Sequence, residues 1–230
     1  EVIRLLVSEV AITNGATLLV LWLLSKRSPL VSWGYVVMAH QNETQPGIET
    51  ASTTTLTNTD WFLSHLDTVG EGALVGHVDG TRIGVWGWSG GGSSTLHLMF
   101  RANDVYKMGM AVAPVPDVHN YDTIYQERYV GLPQTDSAAY VDASPIYFAQ
   151  GLKGDLLVVH GSGDDNVHYQ GTEQLINRLI RLNKPFQMME YPNRTHGIFE
   201  GTNTRTHLYN LLTRYLNEHL PAGPRSTTVP

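Results

Sequence analysis

Short β-branched and aromatic runs alternate with stretches at helical spacing, most regularly in the second half of the chain. "RIGVWGW" (Arg82 to Trp88), "MGMAVAPV" (Met108 to Val115), "DLLVVHG" (Asp155 to Gly161) and "PFQMMEYP" (Pro185 to Pro192) predict four strands, the second stopped by Pro114 and Pro116. Between and after them, "SSTLHLMFR" (Ser93 to Arg101) and "GTEQLINRLIRL" (Gly171 to Leu182) have helical spacing, and "TRTHLYNLLTRYLNEHL" (Thr204 to Leu220) closes the pattern. In the second of these, Leu175, Ile176, Leu179 and Ile180 are expected on one buried face. Strands alternating with helices imply βαβ units, hence an α/β architecture with a mostly parallel sheet flanked by helices. The first 77 residues are less regular. Residues 1–31 carry helix-like apolar spacing, and "WGYVVMA" (Trp33 to Ala39) predicts a buried strand. The Thr-rich residues 40–60 predict a long loop or a loosely packed segment, and "WFLSHLDTV" (Trp61 to Val69) a short helix. The tail "PAGPRSTTVP" reads as disordered.

Composition narrows the class. The 230 residues suit one α/β domain, and a 42% hydrophobic share can fill a core. A formal net charge of −6 argues against a nucleic-acid partner. With no cysteine there is no disulfide, thiol nucleophile or zinc–thiolate site. The run "ATLLVLWLL" is too short to span a bilayer, which takes about 20 apolar residues. The acidic start fits a signal peptide poorly, and the chain begins at Glu1 rather than Met, as a fragment would. The compartment stays open, with a periplasmic or secreted setting favoured over a cytoplasmic one.

Candidate chemistry centres on "GWSGGG", residues 87–92. Gly87-Trp88-Ser89-Gly90-Gly91 is G-x-S-x-G between a predicted strand and a predicted helix, the context that gives the motif meaning. A sharp turn there projects the serine Oγ above the sheet, and the N–H of Gly90 can donate to an oxyanion. The plain alternatives are a Gly-rich turn or a phosphate loop; G-x-x-x-x-G-K-[ST] is absent. A serine nucleophile needs a base and a group that orients the base, here in the chain order Ser, acid, His. "SGDDNVH" follows one predicted strand and carries Asp164 and Asp165; "YPNRTHGI" follows the next and carries His196. Singly, Asp164 reads as a turn residue and His196 as a loop histidine; in this order at successive strand ends they make a triad. His119, His160, His168 and His207 lack metal-ligand spacing and read as structural, so no metal is expected.

"RIGVWGWSGGG", "AVAPV", "YDTIYQERYVGLP", "VVHGSGDDNVHYQ" and "YPNRTHGI" together resemble the catalytic domain of the dipeptidyl peptidase IV branch of the prolyl oligopeptidase family, from about Val78 to Gly223. The resemblance implies an α/β-hydrolase fold, with residues 78–223 as catalytic core, residues 1–77 a diverged N-terminal part with incomplete strands, and 224–230 a tail. It implies a serine peptidase cleaving after Pro or Ala, releasing N-terminal dipeptides in the intact ancestor, with a peptide substrate and no cofactor. Ser89 would be the nucleophile, Asp164 the orienting acid, His196 the base and Gly90 an oxyanion donor, with Asp165 a structural neighbour. Tyr121, Tyr125, Val115 and Val167 would line a proline pocket, and Asn166 would bind the substrate backbone carbonyl. From the residues alone, core packing at i, i+4 on a helix is the favoured reading of Tyr121 and Tyr125. A homodimer is a candidate assembly.

Three departures from the family stand out. Gly90 replaces the tyrosine that often follows the nucleophile. Residues 1–77 hold no stretch that resembles the family's second oxyanion donor, a loss worth about 10²–10³-fold in rate. The β-propeller that precedes the family's hydrolase domain is missing from this chain. Two other functions compete: a generic α/β-hydrolase esterase, and an inactive fragment serving as an interaction module through the apolar stripe Leu208, Leu211, Leu212, Tyr215 and Leu216.

Overall fold

Apolar runs too short for helices become neighbours in one parallel sheet, and the sheet puts their C-terminal ends along a single edge. The computed structural model describes residues 3–9, 35–40, 48–72 and 74–221. Its strands are β1 (Ile3–Glu9), β2 (Tyr35–His40), β3 (Val78–Trp88), β4 (Tyr106–Val112), β5 (Asp155–Gly161) and β6 (Gln187–Tyr191). They lie in the order β2-β1-β3-β4-β5-β6 with every neighbouring pair parallel. The helices are α1 (Ile48–Ser64), α2 (Gly90–Arg101), α3 (Thr123–Val130), α4 (Ser137–Ala143), α5 (Tyr169–Arg181) and α6 (Thr204–His219).

A parallel sheet must be covered on both faces, and side chains alternate between them. Leu156 and Val158 of β5 join Ile83 and Val85 of β3 and Ala111 of β4 under α2 and α5. Leu157 and Val159 join Met108, Met110 and Val112 under α6, with Trp86 and Trp88 at the margin. Helix α2 is buried along almost its whole length. Strand order reverses between β1 and β3, because β2 lies to one side and β4 to β6 to the other. At such a switch point the connections leave in opposite directions and open a crevice at the strands' C-terminal ends. β3 ends there at Trp88, one residue before Ser89.

Four sequence expectations are corrected. Residues 3–9 form β1 rather than a helix, paired in parallel with β2 on one side and β3 on the other; apolar spacing over so few residues fits a strand as well as a helix. Residues 48–60 belong to α1 rather than a loop, despite the low helix propensity of threonine. The packing supplies the compensation: Thr55 and Thr59 are buried, and the Thr59 hydroxyl bonds both Thr55 O at 2.8 Å and the Tyr106 hydroxyl at 2.9 Å. On α5, Leu175 and Leu179 are buried but Ile180 is 62% exposed, because the buried stripe is narrower than the apolar spacing suggests. On α6, Leu208, Leu212, Tyr215 and Leu216 pack into the chain's own core and are not free to meet a partner. The expected disordered tail lies outside the described residues.

Candidate active site

One residue makes the reversal from β3 into α2. Ser89 takes φ 59° and ψ −119°, a conformation that costs a residue with a side chain about 1–3 kcal/mol and persists only where its surroundings enforce it. The Ser89 N–H donates to Val112 O at 2.8 Å, and Ser89 O accepts from Ser93 N at 3.0 Å and Ser93 Oγ at 3.3 Å. The turn also needs backbone room. A Cβ on Gly87 would lie 2.2 Å from Gly91 O, so only glycine lets α2 start this close to β3. The Ser89 side chain does not cap α2, and the N–H groups of its first turn, that of Gly90 included, have no acceptor within the helix.

Asp164 and His196 meet at the same edge. Asp164 lies three residues beyond β5, and its side chain is fully buried; His196 lies five beyond β6, with its side chain 23% exposed. His196 Nδ1 and Asp164 Oδ2 are 2.7 Å apart. Burial alone would push the Asp164 carboxyl up. Hydrogen bonds from His160, from His196 and from the Val167 N–H outweigh it, and hold the carboxyl well below the usual carboxylate range. The two loops are joined backbone to backbone. Ser162 N donates to Tyr191 O at 3.0 Å and Gly163 N to Arg194 O at 3.1 Å, and a Cβ on Gly161 would lie 2.2 Å from Arg194 O. Trp88 Nε1 donates to His196 O at 3.0 Å, which ties the histidine loop to the residue before Ser89. Among the described residues, no hydrogen bond joins Ser89 Oγ to His196; in resting enzymes this contact is often long and tightens with substrate. Asp165 is exposed beside the pair.

Val115, Val167, Tyr121 and Tyr125 come together in one apolar cluster, with Val118, Val130 and Tyr129 added. Tyr121 precedes α3 and Tyr125 lies within it; their rings meet edge to face at 5.9 Å, and both stay half-buried rather than sinking into the core. The Tyr121 hydroxyl donates to Asn166 Oδ1 at 3.4 Å, so this tyrosine and the exposed asparagine face each other. Ser93 links the parts: its Oγ accepts from Val115 N at 2.8 Å while donating to Ser89 O. Sequence reasoning missed Ser93, Trp88 and Tyr129. Of these only Tyr129 left a signal, its i, i+4 spacing from Tyr125. The expected lack of a second oxyanion donor concerns residues 1–77, of which 10–34, directly after β1, lie outside the described residues. Among the described residues no cluster of His, Asp and Glu could hold a metal ion, and no helix is long and apolar enough to cross a membrane.

Comparison with known proteins follows the same outline. Residues 62–222 match the model of the prolyl oligopeptidase family. The dipeptidyl peptidase 4 of Bos taurus is 37% identical over 147 residues, 63% of this chain and 19% of that protein. A probable dipeptidyl-aminopeptidase B of Uncinocarpus reesii is 45% identical over 126 residues, 54% of this chain and 14% of that protein. The crystal structure of dipeptidyl peptidase 4 from Porphyromonas gingivalis superposes with a TM-score of 0.73 at 32% identity, over 95% of this chain and 31% of that one. The chain thus spans under a fifth of the length of these two curated relatives.

Proposed function

This chain belongs to the prolyl oligopeptidase family and has an α/β-hydrolase fold, and we propose that it is the catalytic part of a serine peptidase that cleaves after Pro or Ala. The observation that carries the reading is a serine at a strained elbow on the same sheet edge as a buried carboxylate hydrogen-bonded to a histidine. An ionised carboxylate only accepts, so His196 Nδ1 carries the proton and Nε2 is left with its lone pair. His196 Nε2 then takes the Ser89 hydroxyl proton as Oγ attacks the scissile carbonyl. The Gly90 N–H donates to the oxyanion, and Asp164 stabilises the imidazolium. His196 passes the proton to the leaving amine, which departs and leaves an acyl group on Ser89. His196 then deprotonates a water that attacks the acyl carbon, and passes that proton to Ser89 Oγ as the acid departs.

Specificity in this reading comes from the Tyr121, Tyr125, Val115 and Val167 cluster. Proline is flat, apolar and has no N–H, so aromatic walls hold it without an unpaired donor. Asn166 binds the substrate's backbone carbonyl through its side-chain NH₂, since its Oδ1 already faces Tyr121. Gly90 leaves that side of the pocket wider than a tyrosine would. For the whole protein we propose release of N-terminal dipeptides, with residues 1–77 supplying the first strands of the hydrolase unit and a propeller outside this chain holding the substrate amine. For a homodimer, the buried stripe of α6 leaves its outer side, with Tyr209 44% exposed, as the available surface. Light scattering decides this point: a clean monomer removes it.

The test is hydrolysis of paired chromogenic anilides, Gly-Pro and Gly-Gly, beside a p-nitrophenyl ester. A preference for Pro of at least about tenfold is expected, since each such pocket contact is worth about 1–3 kcal/mol. Ester hydrolysis with no anilide turnover contradicts the peptidase reading and supports the esterase.

A further inference from the structure

The buried face of Asp164 holds a second histidine. His160 sits at the end of β5 with no exposed surface. Its Nε2 lies 3.1 Å from Asp164 Oδ2, the oxygen that also faces His196 Nδ1, and 2.9 Å from Val167 O. Both neighbours of Nε2 only accept hydrogen bonds, so Nε2 carries a proton. On the far side of the ring, Nδ1 lies 2.7 Å from the hydroxyl of Thr172, buried on α5. The hydroxyl can donate to Nδ1, so the ring is held at both of its nitrogens. The other carboxylate oxygen, Oδ1, accepts from Asn166 N at 3.0 Å and Val167 N at 2.8 Å. The acid is therefore held by four donors, and one of them is a side chain clamped from behind.

From this geometry we propose that His160 is a positioning residue: a fixed donor that orients the Asp164 carboxylate toward His196 and draws charge from the oxygen the two histidines share. This rests on the proposed role of Asp164 and His196. Because Val167 belongs to the apolar cluster, the same ring also couples the acid to the pocket wall. The titratable groups around the cluster are Asp164, His196, Tyr169, Glu190 and Tyr121. The Tyr169 ring stands edge-on to His160 at 5.6 Å, with its hydroxyl 3.4 Å from Glu190. Tyr169 and Tyr121 are pushed up by burial, and remain neutral where histidines titrate.

The test is the pKa of His196, read by NMR with histidine labelled, in the chain itself and in His160→Leu, His160→Gln and Thr172→Val. This readout needs no catalysis. Removing a donor leaves more charge on Oδ2 and favours the imidazolium, so His160→Leu should raise the His196 value by about 0.5 pH or more. Gln restores an N–H donor and should return it. Thr172→Val loosens the clamp and should give a smaller rise, and it decides the matter if His160→Leu does not fold. An unchanged His196 value in the folded His160→Leu protein, or in Thr172→Val if that alone folds, overturns the proposal and leaves His160 a packing residue. Loss of fluorophosphonate reactivity in the unaltered chain, with the NMR shift intact, would instead count against Ser89 as nucleophile.

Discussion

Adding one methyl group to Gly87 should silence Ser89 while the same change at Gly80, on the same strand, does little. At Gly87 a Cβ would stand 2.2 Å from Gly91 O and 2.3 Å from Gly91 C, both backbone atoms of α2's first turn. Real Cβ contacts do not fall below 3.0 Å, so the start of α2 must retreat by about 0.8 Å, and a misplacement of that order among reacting groups costs about 10²-fold in rate. Overpacking of this kind also costs about 1–3 kcal/mol of stability, which leaves much of a typical domain's margin intact. At Gly80 a Cβ would meet only the Leu63 side chain at 3.5 Å, an ordinary contact. The assay is the second-order rate of fluorophosphonate inactivation, with circular dichroism confirming the fold. Gly87→Ala should fall by about two orders of magnitude and Gly80→Ala by less than about threefold. A folded Gly87→Ala protein that reacts at the normal rate would refute the claim that this close approach builds the nucleophile's geometry.

Asp164→Asn should lower the inactivation rate by about 10⁴-fold, since the neutral amide no longer fixes the His196 tautomer; stopped assays across pH should show no recovery at high pH. Trp88→Phe removes the 3.0 Å bond to His196 O and should slow inactivation several-fold while leaving the KM for a Pro anilide unchanged; a change confined to KM contradicts a positioning role. His97 is buried with its Nδ1 unpartnered, and burial pushes its imidazole down to about 4 from 6.5. Between those values the unfolded chain binds the proton and the folded chain does not, so stability is full above pH 6.5 and falls by about 3 kcal/mol as pH drops toward 4. Urea unfolding at pH 7 and pH 4.5 should show this loss, and His97→Leu should remove most of it; identical losses in both proteins would contradict the assignment.

The candidate site was more legible than the scaffold that holds it. G-x-S-x-G between strand and helix, then an acid and a histidine after successive strands, is written in local letters, because each group sits one short loop beyond a strand. β5 falls on the expected residues, Asp155–Gly161, since a buried central strand carries an unbroken apolar run bounded by glycine. β1 and α1 were misread for the opposite reason. Their states are set by partners far along the chain: β3 for the strand, and Tyr106, which bonds Thr59, for the helix. His160 looked structural because nothing in its spacing shows that β5 aims it at the shared carboxylate oxygen. Trp88 and Ser93 were hidden likewise, since their partners His196 and Val115 lie across loops.

The measurement that tests the central claim most directly is the stoichiometry of fluorophosphonate labelling on the purified chain, read by intact mass and peptide mapping with Ser89→Ala as control. The account predicts one adduct per chain, on Ser89, absent from the variant. A folded chain that takes up no label, or a Ser89→Ala protein that still takes it up, would contradict it.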